Sequence, residues 1–122
     1  MNFIIPVLQI ILALGLLNVW LLRATKKTGY RGGAASSLKE EFSVYGLPDW
    51  VFQCVRFLKI TSAILFLVGL WFPVVVAPAA TVICLLMIGA IVMHIKVKDP
   101  LIKSLPAVLM LIMSALVLQG QI

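Results

Sequence analysis

All 14 charged side chains of this 122-residue chain fall within residues 23–59 and 96–103, so that 1–22, 60–95 and 104–122 carry none. An uncharged apolar run of about 18 residues or more is long enough to cross a ~30 Å hydrocarbon core as a helix. At ~1.5 Å per residue the stretch 60–95 is nearly twice that thickness, so it must turn and cross twice. The fold expected is therefore all-α, a bundle of four transmembrane helices over about 3–22, 50–70, 75–95 and 101–119. Composition agrees, with 63% hydrophobic and 11% charged residues, against about 25% charged in a soluble domain. One membrane domain, 1–122, is the only organisation the length allows.

The net charge of +6 is explained by topology and calls for no nucleic-acid partner. Arg23, Lys26, Lys27, Arg31 and Lys39 lie between the first two spans, and Arg56 and Lys59 at the start of the second. Lys96, Lys98 and Lys103 lie between the third and fourth. With four spans, both connections share one side of the membrane, and short Lys/Arg-rich loops stay cytoplasmic. Both termini are then expected outside, in a multi-pass protein of a bacterial inner membrane. The first segment does not read as a cleaved signal, because its cations follow the apolar run where a signal has them before it.

The first connection carries a helix signature of its own. Ser37 and Glu40 form a capping box, and Leu38, Phe42 and Tyr45 recur at i, i+4 and i+7 as one apolar stripe. Gly46 and Pro48 end the segment. A short amphipathic helix over about 37–45 is expected in the membrane interface, with Leu38, Phe42 and Tyr45 as the surface on which a partner would dock. Gly29, Gly32 and Gly33 keep the preceding stretch irregular. Asn18 and Gly15 share a face of the first span that packs inward, and Trp20 suits an interface. Pro48 fits a first helical position after Leu47, Asp99 a cap for the fourth span with Pro100 in its first turn, and Pro106 a bend. Ala77, Ala80, Thr81, Cys84 and Gly89 supply small residues for close helix approach.

Chemistry is read mostly by exclusion. Cys54 and Cys84 form no CxxC pair and are expected at different depths, which leaves no thiol couple. One histidine excludes bis-histidine haem and a His-rich metal site. No acidic residue lies in a span, whereas the small four-helix multidrug exporters use a Glu in their first helix. The polar residues that remain are Gln53, Arg56 and Lys59, at steps of three on the second span, and His94 and Asp99 at the third-to-fourth connection. Charges near a membrane boundary snorkel to headgroups on long stems. Turned inward, they are functional-site candidates instead. Together the five would make a polar mouth for a quinone oxygen or a lipid headgroup.

The segment His94-Ile-Lys-Val-Lys-Asp99-Pro100-Leu101-Ile-Lys103, with Ala107 beyond it, resembles the DoxX-like family of four-helix membrane proteins, and is similar to NACHO-type receptor-assembly chaperones of animals. Span count, length and the extended first loop fit that resemblance. Many relatives place a Glu inside the second helix about where this chain has Thr61-Ser62-Ala63. The family takes its name from a membrane subunit linked to thiosulfate oxidation with quinone. The resemblance implies a small integral membrane protein, and two functions follow as expectations. One is a non-catalytic accessory or assembly subunit that docks a membrane or cytoplasmic protein. The alternative is a quinone- or lipid-binding component of an oxidoreductase system, with quinone the one cofactor the residues suggest. No catalytic constellation points to an enzyme.

Overall fold

The computed structural model describes residues 3–22, 32, 33, 35 and 37–121. The loop residues Arg23, Lys26, Lys27, Gly29 and Arg31, and the side chain of Leu38, lie outside that description. Helix α1 (Ile4–Leu17) runs on into a π-helical turn at Asn18–Leu22. Helix α2 (Leu38–Val44) is short and is followed by α3 (Asp49–Val68). A 3-10 turn at Pro73–Val75 leads into α4 (Val76–Lys96), and a second at Leu101–Ser104 into α5 (Leu105–Gln119). Four of these segments are long and apolar enough to cross a membrane: Ile4–Leu22, Asp49–Val68, Pro73–Lys96 and Leu101–Gln119. Each packs on the next, α1 on α3, α3 on α4 and α4 on α5, and α5 closes the ring against α1.

Lipid is as apolar as Leu, so van der Waals fit between helices must hold such a bundle together. Ala13, Ala63, Ala79 and Ala80 are buried at the centre, between the larger Leu12, Leu16, Phe66 and Ile83. Of the small residues expected to serve this role, Ala80 does so, while Thr81 and Gly89 are exposed. Thr81 donates its hydroxyl to Ala77 O at 2.8 Å instead. At the α3–α4 turn, a Cβ on Gly69 would strike Val76 Cγ2 and stand 3.0 Å from Leu65 O. One buried hydrogen bond ties α1 to α3, from Gln9 Nε2 to Phe66 O at 3.0 Å. Trp50 and Trp71 stand exposed near the two ends of α3, a placement that suits interfacial indoles.

Helix α2 forms where its signals put it. Ser37 Oγ accepts the Glu40 backbone N–H at 3.2 Å. Gly46 ends the helix at φ +78, as its left-handed freedom allows. Phe42 and Tyr45 of the stripe face the bundle, and Phe42 packs on Trp20 and Phe52, with ring centroids 6.2 and 5.4 Å apart. Trp20, expected in an interface, is thereby buried beneath α2.

Three local expectations are corrected. Pro48 is the extended residue before α3 and not its first helical one. Asp99 does not cap the fourth span, since that role falls to Pro100 and the Asp99 carboxylate is used elsewhere. Pro106 sits in the first turn of α5, where no backbone N–H is required, so it has no helix interior to bend.

Candidate functional site

A cavity of about 570 Å³ lies between the four spans toward the end that carries α2. That volume is in the range of small-molecule sites, ~300–1,000 Å³. Its walls are apolar: Leu16 and Val19 from α1, Val51 and Val55 from α3, Leu86, Ala90 and Met93 from α4, Ala107 and Met110 from α5. Phe42 and Tyr45 of α2 lie over it. Polar side chains converge at this end, namely Asn18, Glu41, Tyr45, Lys59, His94 and Lys103. Gly89 also lines the cavity and is exposed, and nothing stands within 4 Å of where its Cβ would project. The cavity therefore opens sideways along α4.

The His94 imidazole is fixed from behind. Its Nδ1 lies 2.7 Å from Asp99 Oδ2, with side-chain exposures of 6% and 4%. Asp99 Oδ1 accepts the Gly33 backbone N–H at 3.0 Å and stands 3.6 Å from Lys103 Nζ. Lys103 in turn donates to Gly33 O at 2.6 Å. Burial works to raise the Asp99 carboxyl, but the hydrogen bonds from His94 and Gly33 and the Lys103 charge outweigh it and hold it below the usual carboxylate range. An ionised Asp99 can only accept, so Nδ1 carries the proton donated to it, and in the neutral imidazole Nε2 is then the acceptor nitrogen.

Tyr45 stands on the other side of the imidazole, edge-on with centroids 5.8 Å apart. Its hydroxyl lies 3.4 Å from Nε2 and donates to Glu41 Oε1 at 3.0 Å. Glu41 Oε2 accepts the Gly32 N–H at 3.0 Å, and Lys96 Nζ donates to Tyr45 O at 3.0 Å. The roof helix is thus tied to the loop and to α4 by polar contacts from both faces.

Of the five residues expected to form the polar mouth, the structure brings three to one place. His94 and Lys59 line the cavity, and Asp99 stands behind His94. Lys59 shares its face of α3 with Val55 and Val51, four and eight residues earlier, and is only 8% exposed. Its stem carries the ammonium toward the α2 end of the bundle, 4.9 Å over the Trp20 ring. It snorkels inside the protein and not along the lipid surface. Gln53 and Arg56 are exposed outside the cavity, beside Phe57, Ile60 and Thr61 around a separate shallow groove. Three-residue steps rotate a helix by 300° each, so the row drifts out of the cavity. Of the apolar stripe, Phe42 and Tyr45 are both buried in the chain itself.

Glu41, Lys103 and the Gly33 backbone were not singled out by sequence reasoning. The four-residue step from Asp99 to Lys103 is the one local signal that would have found Lys103. Nothing in the linear pattern joins Gly33 to Asp99 across 66 positions. Cys54 and Cys84 are free thiols. Among the described residues no cluster of His, Cys, Asp and Glu has the make-up of a metal site.

A model of the DoxX-like family matches residues 7–117, nine-tenths of the chain and all four spans. Searches of curated proteins and of solved structures return no significant match.

Proposed function

The chain belongs to the DoxX-like family, and on that footing we propose that it binds a quinone- or lipid-like molecule drawn from the bilayer. The observation that carries this is the cavity beneath α2, apolar along its walls and polar at one end, with an opening beside Gly89. An amphipathic ligand would enter sideways from the hydrocarbon phase. Its tail would lie among Leu16, Val55, Leu86 and Met110, and its head would reach Asn18, Lys59 and His94. His94, held in one tautomer by Asp99, offers a fixed acceptor to that head.

The Lys/Arg-rich loops support a topology with this polar end cytoplasmic and both termini outside. An accessory or assembly role for the protein rests on a docking surface at α2. With Phe42 and Tyr45 turned into the bundle, the exposed residues of that helix among the described side chains are Lys39, Glu40, Ser43 and Val44. Ligand binding is therefore the better supported reading.

Native mass spectrometry of protein extracted gently from its own membranes tests it. A lipid- or quinone-sized adduct should accompany the wild type and Gly89→Ala, and be lost from Gly89→Trp, whose indole fills the opening. Wild-type protein that carries no adduct and takes up neither a quinone nor a lipid added in excess would refute the proposal.

A further inference from the structure

Lys59 is more than nine-tenths buried, yet among the described residues its ammonium has no hydrogen bond and no ion pair. Its ammonium stands over the Trp20 ring, 4.9 Å from Nζ to centroid. A cation over an indole face gains less than removing an ammonium from water costs. An ammonium also has three N–H donors, and a ring face satisfies them poorly.

The acids of the site are committed elsewhere. Glu41 is within electrostatic reach of Lys59 but not within ion-pair distance, and its two oxygens accept from Tyr45 and Gly32. Asp99 is bound to His94, Gly33 and Lys103. The second lysine of the lining, Lys103, has Asp99 and Gly33 O as partners. Lys59 is therefore the one lysine of the cavity lining without a hydrogen-bond or ion-pair partner among the described residues. A tail-bearing molecule in this cavity would place its head at the level of Trp20, two residues before the end of the π-helical turn.

From this we infer that Lys59 is the recognition residue for an anionic oxygen head, a carboxylate or a phosphate, on a single-tailed ligand. The inference rests on the cavity being a ligand site, as proposed above. A neutral quinone or alcohol accepts one N–H from Lys59 and leaves its charge uncompensated. An anionic head accepts several and neutralises it, while Nε2 of His94 faces a protonated or hydroxyl-bearing part of the same head.

The test uses the full chain in nanodiscs of neutral phosphatidylcholine, with Trp50→Phe and Trp71→Phe so that Trp20 is the only emitter. Three dibrominated C18 probes of one tail are compared, ending in a carboxylate, a phosphate monoester or an alcohol, and bromine contact quenches Trp20. A charge-assisted hydrogen bond of ~1.5–3 kcal/mol corresponds to roughly 10- to 150-fold in affinity. At least one anionic probe should therefore quench at a tenfold or more lower mole fraction than the alcohol, and which anion does so identifies the head. Lys59→Met should bring the ratio below about threefold, and Lys59→Arg should keep it, which controls for loss of the fold. Equal quenching by all three probes, or a preference that survives Lys59→Met, overturns the inference and leaves the cavity reading intact. No quenching of Trp20 by any probe overturns both.

Discussion

Asp99 holds together three parts of the chain that are distant in sequence, and its removal offers the sharpest test of the site. Its carboxylate is bonded to His94 Nδ1 at 2.7 Å and to the Gly33 N–H at 3.0 Å, with Lys103 Nζ at 3.6 Å. Hydrogen bonds to a charged group contribute about 1.5–3 kcal/mol each. The partly exposed Lys103 pair adds under about 1 kcal/mol. Breaking a buried pair from one side costs about 3–5 kcal/mol, because the remaining partner loses its compensation. Asp99→Ala is accordingly expected to cost about 4 kcal/mol, and Asp99→Asn about 2, since an amide oxygen still accepts from Gly33. Equilibrium unfolding of the purified protein, by titration of a denaturing into a mild detergent, measures both. The double-mutant cycle with His94→Ala should return a coupling of about 2 kcal/mol. Additive single effects, or an Asp99→Ala cost under 1 kcal/mol, would show that the junction does not act as a unit. The sign with pH follows from the carboxyl lying below its unfolded value of ~3.9. Its stabilising contribution is complete above that value and is lost as pH falls through the lower folded one. The Asp99→Asn protein should not show that acid limb.

Other perturbations separate close packing from surface chemistry. Gly69→Ala should destabilise by ~1–3 kcal/mol in the same assay, because the added methyl meets Val76 and the Leu65 carbonyl. Gly15→Ala should cost under about 1 kcal/mol, since the atom in its way is the flexible end of Met110. Gln9→Leu should cost only about 0.5–1 kcal/mol despite its burial, as interhelical hydrogen bonds in membranes average about 0.6. Lys39→Ala should leave stability unchanged within error, because its pair with Asp49 spans 3.7 Å between side chains 70% and 61% exposed.

The segregation of charge, with the length of the apolar runs, determined by itself that the chain has four spans and that they are helical, while no charge marks the turn within 60–95. The Ser37 cap and Gly46 likewise set the limits of α2, because capping and left-handed backbone are local chemistry. The rotation of each span was decided only in the folded bundle. A helix apolar on every side has no stripe to say which face is buried, so the sequence alone does not tell that Lys59 turns inward while Arg56, three residues earlier, faces out. Nor could it choose between a cap and a partner for Asp99. In sequence, Asp before Pro favours the helix N-terminus, but a buried imidazole five residues earlier and the Gly33 N–H compete for the same oxygens. Packing brings them within reach, and charge-assisted bonds in a site closed to water outweigh a cap exposed to it.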